Sequence, residues 1–105
     1  MTDHATLYAT LLGQTAAIGW EELQPHFARG VLLEVAPELD LIEAAIAVTQ
    51  DDATRVGRWL QQGQLAKVDE ARARHRLEAP DVALWAVVVA PWVLMQERPA
   101  ERVAD

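Results

Sequence analysis

The chain has 105 residues, of which 51% are hydrophobic, and a formal net charge of −7. It contains no cysteine, serine or asparagine, which excludes disulfides, thiolate metal sites and serine or cysteine nucleophiles. Its negative charge disfavours non-specific binding to nucleic acids and anionic membranes. These features predict one cytoplasmic domain over residues 1–98, followed by a disordered C-terminal tail over residues 99–105.

The N-terminal segment predicts an amphipathic helix over residues 6–18, with Asp3 as its cap and Gly19 as its end. The start of the chain lacks the basic and apolar regions of a secretion signal. After the first helix, the longest uncharged apolar stretch is residues 82–95, which is shorter than the ~20 residues that cross a bilayer. We therefore expect no membrane association.

A second helix is predicted to start near Gln24, because Pro25 lacks an N–H group and is tolerated only in a first turn. Gly30 is a typical residue just after a helix. The short apolar segment 31–35 lies between this glycine and Pro37, and its valines favour an extended chain. Residues 31–35 are therefore predicted to form a strand.

The segment 39–50 is ambiguous. Asp40 followed by Glu43 resembles a helix capping box, and three alanines favour helix over strand. The apolar residues also alternate as they would in a strand, at Ile42, Ala44, Ile46 and Val48. Helix is the preferred interpretation, and strand remains the alternative.

Two further helices are predicted in the middle of the chain. The pair Asp51-Asp52 suits a helix N-terminus, and Gly63 suits the end of that helix. Its apolar face is formed by Val56, Trp59 and Leu60. We expect Trp59 to lie in the core. A strongly charged helix follows over residues 69–77.

The C-terminal apolar segment predicts strands. Residues 84–90 include three consecutive valines, and Pro91 would break a helix. Residues 92–96 are predicted to continue the strand beyond this break. The expected fold class is α+β, mostly helical.

The predicted sheet is built from residues 31–35 and 84–96, with helices covering one face. Two strands alone are marginally stable. A third strand is therefore expected from residues 39–48 or 65–68, unless helical packing alone stabilises the sheet.

Several segments together resemble a family of small bacterial proteins catalogued as a domain of unknown function. The most distinctive is the C-terminal motif Leu-Trp-Ala-Val-Val-Val-Ala-Pro-Trp-Val-Leu, residues 84–94. The other matching segments are Leu7-Tyr8, residues 27–30, residues 39–43, Asp51-Asp52 and Trp59-Leu60. The resemblance covers nearly the whole chain. It implies a bacterial protein and implies no activity, cofactor or catalytic residue.

Few residues point to catalysis or metal binding. Four carboxylates could act as acid and base or hold a hard metal, but they are placed where helix N-termini favour negative charge: Asp40, Glu43, Asp51 and Asp52. The histidines lack metal-ligand spacing: His4, His26 and His75. Lys67, the sole lysine, has no phosphate motif beside it. We predict no cofactor, and catalytic residues remain unassigned.

Charge is distributed unevenly along the chain. Residues 1–54 carry nine acidic side chains and one basic one, whereas residues 55–76 carry six basic and two acidic ones. The two segments could pair within one molecule or between subunits. Tryptophans are favoured in cores and at interfaces alike. The candidate interaction surface is Arg55, Arg58, Arg72, Arg74, Arg76, Trp85 and Trp92.

Residues 53–68 are similar to the helix-and-wing segment of excisionase-type DNA-binding modules. The helix offers only Arg55 and Arg58 to a phosphate backbone, and Asp51 and Asp52 precede it. A helix-turn-helix or winged nucleic-acid-binding module through residues 53–76 is therefore the alternative hypothesis.

The leading hypothesis is a small cytoplasmic protein-interaction or regulatory module, with self-association as one mode. A small-ligand or enzyme domain that uses the acidic residues is the second alternative. The composition leans against an enzyme, because it offers no nucleophile, phosphate loop or metal cluster.

Overall fold

The computed structural model describes residues 3–97, which form five helices and five strands. In chain order these are α1 (His4–Gln14), β1 (Ala16–Ile18), α2 (Trp20–Ala28), β2 (Leu32–Val35), α3 (Leu41–Thr49), α4 (Ala53–Gln62), β3 (Leu65–Lys67), α5 (Glu70–Glu78), β4 (Leu84–Val89) and β5 (Trp92–Glu97). The protein is an α+β protein, as predicted. None of the helices within residues 3–97 has the length and apolar character needed to cross a membrane. The predicted tail, residues 99–105, lies outside the described residues.

The five strands form one mixed sheet in the order β1-β4-β5-β2-β3. β4 and β5 form an antiparallel hairpin whose turn contains a cis Ala90–Pro91 peptide bond. β2 lies parallel to β5, and β3 and β1 extend the sheet antiparallel at its two edges. The hairpin therefore forms the centre of the sheet, with β1 and β3 as its edges.

Helices pack on both faces of the sheet, which differs from the expectation that they would cover one face. Strand alternation explains the difference, because the hairpin strands are apolar at consecutive positions and so have two apolar faces. Val87 and Leu94 pack with residues of α1, α3 and α4 on the first face. Ala86 and Met95 pack with residues of α2 and α5 on the second face.

Helix α3 is the central helix of the first face. Its alanines are fully buried, which lets its backbone approach the sheet closely. Asp40 caps it by accepting hydrogen bonds from the backbone N–H groups of Ile42 and Glu43. The helical interpretation of residues 39–50 is thus confirmed. Trp59 of α4 is buried in the same cluster, as predicted.

Most of the predicted elements are confirmed. The segment 31–35 contains β2, residues 65–68 supply the third strand as β3, and residues 84–90 contain β4. Asp52 and Asp69 cap α4 and α5, and Gly63 ends α4 with a φ of 75°. At α4 and α5, capping residues therefore marked the helix boundaries correctly.

The first helix is shorter than predicted. α1 begins after the predicted cap, Asp3, but ends at Gln14 rather than at Ile18. Residues Ala16–Ile18 instead pair with the outer side of β4. Backbone hydrogen bonds to an otherwise open strand edge outweigh the helical propensity of the two alanines, because tertiary contacts commonly override intrinsic propensity.

The second helix starts earlier than predicted, at Trp20, and contains Pro25 in its interior. Proline removes one backbone hydrogen bond there, which is costly in an isolated helix. Burial of Trp20 and Leu23 against the second face offsets that cost. The strand over residues 92–96 is likewise a separate antiparallel strand and not a continuation of β4.

Candidate binding site

A cleft of about 620 Å³ opens on the first face, between α1, the loop before α3 and the β4–β5 hairpin. We call it the Tyr8 cleft. It combines apolar walls with a few polar groups, which is the usual composition of a ligand-binding site. Its lining residues are Tyr8, Leu12, Thr15, Pro37, Glu38, Leu39, Asp40, Leu41, Ile42, Trp85 and Gln96.

Asp40 joins two sides of the cleft. One carboxylate oxygen caps α3, and the other accepts a hydrogen bond of 2.7 Å from the hydroxyl group of Tyr8 on α1. This hydrogen bond, followed by burial and the negative charges of Asp40 and Glu43, raises the pKa of Tyr8 above its ordinary value of 10.0. Tyr8 therefore remains a neutral phenol well above physiological pH.

Gln96 forms a polar contact deep in the cleft. Its side chain is only 9% exposed, and its Nε2 group donates to the backbone carbonyl oxygens of Ala36 and Leu39. A buried amide with two such bonds fixes the loop before α3 against β5, because each unpaired carbonyl would cost free energy. The shape of this side of the cleft is therefore set by the hairpin.

Trp85 and Trp92 lie on the same face of the hairpin but at opposite ends. Trp85 pairs across the hairpin with Gln96, whereas Trp92 pairs with Val89. Both are partly buried against the first core. Trp85 lines the Tyr8 cleft, and Trp92 lines a separate, mainly apolar cleft of about 370 Å³ beside Leu60 and Lys67. The two tryptophans therefore do not form one site.

The five predicted surface arginines are not brought together. Arg55 lies on α4, on the first face, where it pairs with Glu43 at 3.2 Å and lies over the Trp59 ring. Arg72 and Arg76 lie on α5, on the second face. The remaining two, Arg58 and Arg74, are exposed and have no ion pair within residues 3–97.

Arg76 is the centre of a buried charge cluster on the second face, which we call the Arg76 cluster. Its side chain is 3% exposed, and its two terminal nitrogens pair with Glu34 and Glu97. Arg72 pairs with the second oxygen of Glu34 at 3.3 Å. A cavity of about 510 Å³ adjoins the cluster. Three of the five arginines thus pair with carboxylates of their own chain.

Three of the four candidate carboxylates have structural partners. Asp40 and Asp52 cap helices, as predicted, and Glu43 contacts both His4 and Arg55. Asp51 lies in the turn between α3 and α4 with a φ of 54°. Residues 3–97 contain no group of three or more histidine or acidic side chains placed to hold a metal ion.

Sequence reasoning did not find most of the cleft. Tyr8 and Asp40 are 32 positions apart, and no local pattern links them. Gln96 carried a signal that could have been used, since it is a polar residue directly after the apolar run Trp92–Met95 of the same strand. Such a residue, when buried, must find hydrogen-bond partners and therefore marks a contact with another element.

Fold and cleft together define a small α+β protein with helices on both faces of a mixed sheet and an open cleft that combines apolar walls with two carboxylates. The chain belongs to the family described as "Protein of unknown function (DUF2288)", whose profile matches residues 6–97. No curated protein gives a significant match.

A solved structure is also similar to this chain. The NMR solution structure of PA1075 from Pseudomonas aeruginosa is 53% identical and has a TM-score of 0.80. The match covers 100% of this chain and 97% of that one. The family resemblance seen in the sequence is therefore confirmed, and with it a bacterial relative.

Proposed function

We propose that this protein is a protein-interaction module whose Tyr8 cleft binds an extended segment of a partner polypeptide. The observation that carries the proposal is the cleft itself, which has the partly buried Trp85 on its floor and the 55% exposed Leu12 on its rim. Buried aromatic anchors surrounded by apolar contacts are typical of binding hot spots.

The edge strand β1 supports this choice of partner. Ala17 of β1 pairs directly with Trp85, so the strand borders the cleft. Among the described residues β1 pairs with β4 alone, at the edge of the sheet. An extended segment beside it could extend the sheet through backbone hydrogen bonds and place side chains into the cleft. The cytoplasmic location expected from the sequence is part of the same proposal and is tested by cell fractionation.

A selection of displayed peptides on the wild-type protein tests the binding surface. We expect the selected peptides to lose binding to Leu12→Glu, because the substitution places a charge on the apolar rim. The matched control is Leu77→Glu, at a leucine that is 59% exposed on α5. Both substitutions are at exposed positions, where effects on folding are small.

Loss of binding on Leu77→Glu with retention on Leu12→Glu would place the interface on the second face and contradict the proposal. Sedimentation measurements identify self-association. A dimer that dissociates on Leu12→Glu would make a second copy of this chain the occupant of the cleft.

A further inference from the structure

The polar side chains that line the Tyr8 cleft have their hydrogen-bond donors already engaged. The Tyr8 hydroxyl donates to Asp40, and the Thr15 hydroxyl donates to the backbone oxygen of Leu11 at 2.9 Å. The Gln96 amide nitrogen donates to two backbone carbonyl oxygens. A ligand therefore meets no unengaged hydroxyl or amide donor among these side chains.

The hydrogen-bonding capacity that these side chains retain for a ligand is that of acceptors. Asp40 and Glu38 are carboxylates, and an ionised carboxylate can only accept hydrogen bonds. Gln96, which is only 9% exposed, also carries the side-chain oxygen Oε1, which is an acceptor. None of the described residues that line the cleft is cationic. The cleft is thus an acceptor-rich, negatively charged site.

The apolar part of the cleft suits the stem of a long basic side chain. Leu12, Leu39 and Leu41 form its walls beside Trp85. Lysine and arginine side chains pack their methylene groups on such surfaces while their charged ends reach polar groups. A tryptophan ring is also the most favourable aromatic surface for a nearby cation.

We propose that the Tyr8 cleft recognises a guanidinium or ammonium group on an aliphatic stem. This inference rests on the proposed function of the cleft and narrows the chemistry of the segment that it binds. The cation donates hydrogen bonds to Glu38, Asp40 and Gln96, and its stem lies against the leucines. An anionic ligand would meet two carboxylates and no cationic side chain among the described lining residues.

Titration with two isosteric probes tests the inference. N-acetyl-arginine methylamide carries a guanidinium group, and N-acetyl-citrulline methylamide carries a neutral urea of nearly the same shape. We expect calorimetry to show about tenfold weaker binding of the citrulline probe, a difference of about 1.4 kcal/mol. Binding of citrulline that equals or exceeds that of arginine would overturn the inference.

Two single-charge variants show whether recognition is local. Glu38→Gln removes a carboxylate that lines the cleft, and Glu78→Gln removes an exposed carboxylate at the end of α5. Both change the net charge equally. We expect a several-fold loss of arginine-probe affinity in Glu38→Gln alone. Equal losses of affinity in both variants would show that net charge alone accounts for the effect. That result would contradict the inference.

Further probes separate this inference from the proposed function. A peptide with a central arginine that binds more tightly than agmatine supports a polypeptide ligand. Tighter binding of agmatine would support cation recognition, but it would indicate that the ligand is a small molecule and not a partner protein. A cleft that binds neutral peptides and no cationic probe overturns the inference alone. A cleft that binds no probe or peptide overturns both.

Discussion

The Tyr8 cleft and the Arg76 cluster both combine carboxylates with a cavity, yet they differ in how their charges are balanced. In the Arg76 cluster, Glu34 and Glu97 face the guanidinium groups of Arg72 and Arg76. In the Tyr8 cleft, Glu38 and Asp40 face no cation among the described lining residues. The first set of charges joins α5 to the sheet, whereas the second leaves acceptors available to a ligand.

A cavity alone does not distinguish a structural site from a binding site. Buried ions must be paired within the protein, because an isolated buried charge is very costly. Carboxylates at an open cleft remain hydrated and can exchange water for a ligand. The sequence suggested the arginines of α5 as part of an interaction surface. Two of them, Arg72 and Arg76, belong instead to the internally paired Arg76 cluster.

The largest effect is expected for Arg76→Met. The substitution leaves Glu34 and Glu97 without the buried arginine, and breaking a buried ion pair in this way costs ~3–5 kcal/mol. We expect a loss near the lower limit, because Glu97 is partly exposed and can regain water. Urea unfolding measures this loss in the free energy of unfolding. Arg74→Met, at an exposed position, is the control, with a change within ~0.5 kcal/mol. Equal stability of the two variants would show that the cluster does not stabilise the fold.

A smaller effect is expected for Gln96→Met, which keeps the length of the side chain but removes its amide. Two carbonyl oxygens of the loop before α3 lose a donor, and an unsatisfied buried group costs ~1–3 kcal/mol. Relative to the wild type, amide hydrogen exchange should be accelerated more at Leu39 and its neighbours than in α5. Unchanged exchange in that loop would mean that Gln96 does not fix the wall of the cleft.

Asp40→Ala should lower the free energy of unfolding by about 1 kcal/mol, because α3 loses its N-terminal cap. Asp40→Asn is the matched variant, since asparagine caps a helix equally well and also accepts from Tyr8. Thermal unfolding compares the two. Destabilisation by asparagine as large as that by alanine would indicate that the charge, and not the cap, is what stabilises α3.

The smallest effect concerns the titration of Tyr8, the sole tyrosine of the chain. The structure places its pKa above 10.0, because the neutral phenol donates to Asp40. A raised pKa in the folded state favours the protonated form. Its stabilising contribution is therefore complete below pH 10.0 and is lost as the pH rises through the folded pKa. Tyrosinate absorbance measures the titration, and Asp40→Ala should lower the pKa. If the pKa of Tyr8 in the wild type is at or below its pKa in Asp40→Ala, the hydrogen bond between Tyr8 and Asp40 does not stabilise the neutral phenol.

Sequence patterns predicted the elements whose causes are local. Asp40, Asp52 and Asp69 were placed correctly as helix N-terminal residues because a cap acts on the next turn of its own chain. β4 was predicted because three consecutive valines fit a buried strand. Each of these signals lies within a few residues of its consequence.

Features that depend on distant partners were not predicted. β1 is a strand because β4 offers it an open edge, although its residues alone favour continuing α1. The Tyr8–Asp40 contact likewise joins residues that only the packing of α1 on α3 brings together. The cleft is made almost entirely from such long-range contacts, so composition and periodicity could not reveal it.

NMR chemical-shift perturbation with N-acetyl-arginine methylamide maps where a cation binds on the protein. We expect saturable shifts at Tyr8, Trp85 and the loop before α3, and no shifts at the amides of α5. These shifts should be strongly reduced in Glu38→Gln. Saturable shifts centred on α5, or none in the Tyr8 cleft at any probe concentration, would contradict the distinction between an open binding cleft and an internally balanced charge cluster.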